Sequence, residues 1–274
     1  MNWRSVWTIA RKDLKEVSQN KAVWAPAVVV PVIFSVVMPL LFVVLPQLLP
    51  AEDMASELGE MEQLLTNMPP ALKAIFEGMG LEQMFITYMT GYMLAPMFLI
   101  MPLMFSSVIG SDSFVGERER KTLEALLYAP VSDLELFVGK VLAAVLPAIG
   151  LSWLSYGVYA VTVNAASYPL FGRVWFPLPA WWPLMLWLTP AVAVLGISAT
   201  VLVSSRVKTF MEAYQLSGSL VILVLALVLG QISGVLFLGV GTVLVMGAVV
   251  WLVDALLIYI SVSNFKRSAL IAKV

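Results

Sequence analysis

The sequence predicts an all-α integral membrane protein with six transmembrane helices, and three observations predict it. Hydrophobic residues make up 61% of the 274 residues and charged residues 12%, about half of the ~25% charge a soluble domain carries. The apolar residues fall in continuous runs of about 20, the length a helix needs to cross a ~30 Å hydrocarbon core. A transmembrane barrel would alternate in shorter segments. Finally, fourteen of the sixteen Lys and Arg residues fall on one side of these runs, leaving only Lys73 and Arg173 on the other. Positive charge marks the cytoplasmic side, so both termini and residues 111–140 are expected there.

The first 20 residues are predicted to form a cytoplasmic amphipathic helix. Trp3, Trp7, Ala10, Leu14 and Val17 share one helical face, while Arg4, Arg11, Lys12 and Lys15 point largely elsewhere. A basic helix with paired tryptophans suits the headgroup layer, and Trp3 and Trp7 are the expected interfacial anchors. The segment lacks the apolar core and small-residue site of a secretory leader, so no cleavable signal is expected.

Six spans follow at about 24–46, 85–110, 138–163, 182–204, 211–230 and 235–261, in one transmembrane domain covering 1–274. Spans one and two occupy 24–110 and enclose an external loop at 47–84. That loop is acidic, and its 51–67 portion has the apolar spacing of an amphipathic helix. Spans three to six occupy 138–261, before a cytoplasmic tail at 262–274. Gly230-Gln231-Ile232-Ser233-Gly234 reads as the turn between the last two spans. Prolines at 26, 31, 39, 96, 102 and 147 fit bilayer helices, where neighbours re-satisfy the carbonyls they free. The aromatic loop 164–182 reads as an interfacial belt of Tyr168, Trp175, Trp181 and Trp182.

Cysteine and histidine are absent, which removes disulfides, thiolate and imidazole ligands and histidine bases. No metal site or resident cofactor is expected. The sequence also lacks a P-loop, a Gly-x-Ser-x-Gly elbow and a His-Glu-x-x-His pair, so no catalytic role is expected of this chain. Asp254, inside the last span, is a possible intramembrane polar site. A carboxylate there must face the bundle, a subunit contact or water.

The segment 111–137, between spans two and three, is predicted to be a cytoplasmic helix followed by a turn. With Lys140 it holds ten of the 33 charged residues. Glu117, Arg118, Glu119, Arg120, Lys121 and Glu124 mix both signs, and Leu123, Leu126 and Leu127 form an apolar edge. The near-neutral sum is unsuited to nucleic acid. Apolar anchors with a charged rim suit a protein groove.

The run Gly116-Glu117-Arg118-Glu119-Arg120-Lys121-Thr122-Leu123-Glu124-Ala125-Leu126-Leu127, continuing through Ala129-Pro130-Val131-Ser132 to Gly139-Lys140, is similar to the corresponding segment of type-2 ABC exporter permeases. The resemblance extends over nearly the whole chain. It implies a coupling helix that docks into a cleft on a separate P-loop ATPase, with Glu117, Arg118, Glu119, Arg120 and Glu124 as charged rim and Leu123, Leu126 and Leu127 as anchors. It further implies two ATPase copies, ATP and Mg bound by those partners, a second permease copy or sister permease, and a lipid environment in the cell (plasma or inner) membrane. The first, second and fifth spans would lie near the interface between permeases, and substrate would leave the cytoplasm. Two alternatives remain open on the residues alone: a gradient-driven secondary transporter, and a membrane scaffold that transports nothing.

Overall fold

A computed structural model describes residues 1–19, 28–48, 75–120 and 131–264. Its described residues are helical and contain no strand, as the sequence predicts. Among the described residues, six helices are long and apolar enough to cross a membrane: Val28–Leu48, Leu81–Glu119, Asp133–Phe171, Trp181–Ser204, Phe210–Ile232 and Val240–Val262. They are called here the first to sixth spans, and the N-terminal helix Trp3–Gln19 is called α1.

Two boundaries differ from expectation. The second and third spans contain 39 residues each, ~58 Å at 1.5 Å per residue and nearly twice the hydrocarbon thickness. The second therefore runs straight into the charged segment as rigid helix. Residues Ser111, Asp112, Ser113, Phe114, Val115 and Gly116 are all buried against neighbouring helices, and that burial keeps the helix going. The turn between the last two spans also comes later than expected: the fifth ends at Ile232, and residues 233–239 make the turn. Gly234 adopts φ 72° there, where a side chain would be strained. The predicted external helix at 51–67 and the segment 121–130, with Leu123, Glu124, Leu126 and Leu127, lie outside the described residues.

The second span is the centre of the bundle and the most buried of the six. It packs on the third and fourth spans, the sixth packs on the fourth, and α1 lies along the base of the third. Lipid offers no hydrophobic drive to bring helices together, so close approach by small residues does it. A Cβ on Gly196 of the fourth span would stand 2.2 Å from Ser106 Oγ and 2.9 Å from the Leu103 carbonyl. Gly110 returns the contact, where a Cβ would meet Ile197 Cδ1 at 2.3 Å. The first, fifth and sixth spans are mostly exposed and carry long apolar faces.

The helices are interrupted in a consistent way. Wider π-helical turns occur at Ile33–Val37, Thr87–Met93, Asp112–Gly116 and Leu184–Leu188. Three of the four are followed within a few residues by a proline: Pro39, Pro96 and Pro190. Proline has no N–H to donate four residues back, so each leaves a carbonyl to be satisfied by other means. In the second span, Leu94 N–H donates to Met89 O and Ala95 N–H to Tyr92 O, abandoning the carbonyls of Thr90 and Gly91. Side chains from other helices replace the missing donors. Tyr159 Oη of the third span donates to Thr90 O, and Trp181 Nε1 of the fourth donates to Gly91 O at 2.7 Å. Gln231 Nε2 of the fifth reaches Tyr92 O at 3.0 Å, the carbonyl that Pro96 would otherwise have engaged. Trp181 is thus a buried clamp rather than a member of the interfacial belt expected from the sequence. It sits in an aromatic cluster with Phe98, Tyr159 and Phe176, with ring centroids 4.9–5.3 Å from its own. Tyr168 and Trp182 are exposed, as belt residues would be, and Trp175 is half-buried.

Candidate functional site: a charged hub at the coupling segment

α1 buries Val6, Ile9, Ala10, Asp13 and Val17. That face is rotated from the one predicted, because the helix docks on the third span as well as presenting tryptophans outward. Trp3 and Trp7 are exposed, positions from which indole rings can reach lipid. Docking depends on Gly139: a Cβ there would stand 2.9 Å from the Ile9 side chain and 3.1 Å from the Val6 carbonyl. The glycine of the Gly139-Lys140 pair lets α1 approach. The lysine then enters the space beneath it.

Lys140 is fully buried. Its Nζ donates to Glu117 Oε2 at 2.6 Å, to Ser113 O at 2.8 Å, and to Asp13 Oδ2 and Ser113 Oγ at 3.2 Å. The Phe114 ring lies 5.6 Å from the same ammonium. Glu117, also fully buried, gives its other oxygen to Lys12 Nζ at 2.6 Å. Lys12 reaches Glu16 at 3.3 Å and Asp13 at 3.4 Å. Ser113 Oγ donates to Asp13 Oδ2. One carboxylate, Glu117, therefore bridges an ammonium on α1 and an ammonium on the third span. Burial pulls the Lys12 pKa down, but the Glu117 hydrogen bond and the charges of Glu117, Asp13 and Glu16 outweigh it. The net result lies above the ordinary lysine value. Asp13, Glu16 and Glu117 are grouped closely enough to hold a metal ion, yet the Lys12 ammonium already contacts all three.

The next residues of the run reach different neighbours. Arg118 is half-buried and donates to the carbonyls of Ser204, at 2.9 Å, and Val207. It thereby satisfies the free C-terminal end of the fourth span. Glu119 accepts from Phe210 N–H at 2.8 Å, capping the N-terminus of the fifth span alongside Thr209, whose hydroxyl accepts from Glu212 N–H. Arg120 turns back to Asp112 at 2.7 Å, and that hydrogen bond raises its pKa further. Ser132 starts the third span with a reciprocal capping box: its Oγ accepts from Glu135 N–H, and Glu135 Oε2 accepts from Ser132 N–H. Glu135 Oε1 also accepts from Asn2 N–H, tying down the start of α1.

The consecutive residues Glu117, Arg118 and Glu119 thus grip α1 and the third span, the end of the fourth span, and the start of the fifth. Sequence reasoning grouped them as a rim facing a partner. In this conformation Glu117 is internal and Arg118 is half inside, while Glu119 and Arg120 remain exposed. Asp13 and Lys140 were missed as members of the site. The signal for Asp13 was present, since it recurs with Val6, Ile9 and Val17 at the spacing of a buried helix face and an acid there needs a cation. Asp254 belongs to none of this: it is buried on the sixth span, which packs against the fourth.

The model of the family described as ABC-2 family transporter protein matches residues 7–265. No curated protein and no solved structure matches the chain. The family match runs from α1 through the hub and all six spans. The chain therefore belongs to the ABC-2 transporter family, as a multi-pass, membrane-spanning permease subunit that is not itself the catalytic component.

Proposed function

We propose that this permease works with a separate P-loop ATPase, moves its substrate out of the cytoplasm, and receives the power stroke through residues 117–127. The observation that carries this reading is the three-way grip of Glu117, Arg118 and Glu119 on four neighbouring elements. A force applied to the segment that follows them would reach α1 and spans two to five together, because each contact is short and several are buried. Two permeases and two ATPases would form the working unit, with ATP and Mg on the ATPase chains. The exposed apolar faces of the first and fifth spans are available for the permease–permease contact. A cytoplasmic hub is supported by the charge distribution, since fourteen of the sixteen Lys and Arg residues fall on its side of the spans. In this arrangement Leu123, Leu126 and Leu127 anchor in the ATPase cleft, and Glu124 and Glu119 meet its rim.

The test is reconstitution of the permease with the ATPase that copurifies with it. Glu124→Arg and Arg118→Ala should leave the assembled complex hydrolysing ATP while transport falls at least tenfold. Full transport in both variants would remove the coupling assignment. Failure of any P-loop ATPase to copurify with the folded chain would remove the partnership itself.

A further inference from the structure

Asp254 lies about 14 residues, ~21 Å at 1.5 Å per residue, beyond Val240 where the sixth helix begins. It is 1% exposed, and neither carboxylate oxygen has a hydrogen-bond partner among the described residues. A carboxylate enclosed at membrane depth and left unpaired is not a stable arrangement. Neither helix of this seam supplies a counter-charge among the described residues. The fourth span, against which the sixth packs, has no Asp, Glu, Lys, Arg, His or Tyr between Trp181 and Ser204. The only other titratable group on the sixth helix is Tyr259, which is 74% exposed.

The surroundings are polar in a patterned way. Among the described residues, the indole N–H of Trp251, one turn before Asp254, and the hydroxyl of Ser261, two turns after it, also have no partner. Both share its helical face. On the fourth span Ser198 is likewise buried and unpartnered, eleven residues, or three turns, after Trp187. Trp187 faces the sixth span directly. A Cβ on Gly247 would meet its ring at 2.3 Å, its Nε1 donates to Leu244 O, and its ring centroid lies 5.9 Å from that of Trp251. The seam is closely packed at Gly247, and one enclosed carboxylate calls for one positive charge.

We propose that the seam between the fourth and sixth spans is a binding site for a small monovalent cation, either a proton or an alkali-metal ion, held by Asp254. The site is independent of the coupling hub. It requires no ATPase, so it stands or falls apart from the transport reading above.

The experiment is infrared spectroscopy of the full chain in lipid nanodiscs, with aspartate labelled by ¹³C at its carboxyl carbon. Asp254→Asn assigns the band. Should that variant not fold, Asp254→Glu keeps the acid while removing the labelled group. If the site binds a proton, the Asp254 band is that of a protonated carboxyl, is lost at alkaline pH, and ignores replacement of choline chloride by sodium chloride. If it binds a metal ion, the band is that of a carboxylate and shifts when sodium or lithium replaces choline at constant ionic strength. An ionised Asp254 that responds to none of these cations overturns the proposal.

Discussion

Replacing Lys140 by methionine removes the ammonium that closes the hub from inside while keeping an unbranched chain of similar length. Lys140 touches Glu117 at 2.6 Å and Asp13 at 3.2 Å, and all three side chains are about 1% exposed. Removing one member of a buried ion pair costs ~3–5 kcal/mol, because the other charge stays desolvated. Lys12 softens that here. It already binds Glu117 at 2.6 Å and Asp13 at 3.4 Å, and it is 38% exposed, so it can follow the acids. The expected loss is therefore ~3 kcal/mol, at the low end of the range. Glu117→Leu should cost a similar amount, because Lys140 is left with Asp13 as its one acidic partner among the described residues. The double variant replaces the pair with apolar side chains and leaves Asp13 to Lys12, so it should cost less than the sum of the singles by ~2 kcal/mol, within the usual coupling of contacting residues. Denaturant unfolding of the purified chain in detergent micelles, run on all four members of the cycle, measures this coupling. A single-variant loss below ~1 kcal/mol, the range of exposed ion pairs, would refute the argument. So would additivity within ~0.5 kcal/mol.

Other predictions concern separate parts of the fold. Gly139→Ala should cost ~1–3 kcal/mol by overpacking and lift α1 from the third span, read as faster tryptic cleavage at Arg4 and Arg11. Tyr159→Phe and Trp181→Phe each remove one donor from a buried carbonyl of the second span and should lower stability by ~1–3 kcal/mol apiece, measured by thermal unfolding. Lys12 has a pKa raised in the folded state, so its stabilisation is complete below the ordinary lysine value of 10.5 and is lost as pH climbs through the higher folded value. The stability gap between wild type and Lys12→Met should therefore be constant around neutral pH and shrink only in strong alkali.

The spans were legible because lipid imposes a simple demand on composition: continuous apolar runs and segregated positive charge. Their ends were less so, since Ser111 to Gly116 reads as a polar exit from the membrane and only tertiary contact reveals that it stays helical and buried. The role of Glu117 was hidden for a related reason. Its partners Lys12 and Lys140 are 105 and 23 residues away, and no local pattern links them. The buried side of α1 was available in the spacing of Val6, Ile9, Asp13 and Val17, but the paired tryptophans give a louder signal on the neighbouring face. Pro96 announced a disturbed second span. Nothing in the sequence identified Tyr159, Trp181 and Gln231 as the donors that repair it.

That repair has a bearing on how the chain is assembled. Thr90 and Gly91 receive their donors from helices synthesised later, and Tyr92, already bonded to Ala95 N–H, gains a second donor from Gln231. When the second span first leaves the ribosome, none of those helices exists, and two adjoining carbonyls must rely on water or translocon contacts. The span should linger at the bilayer boundary and settle only as the third, fourth and fifth helices arrive in turn. Nascent chains halted after Gly150 should leave it open to protease, and chains halted after Ser233 should protect it. The centre of the finished bundle is then the last piece of its backbone to be completed.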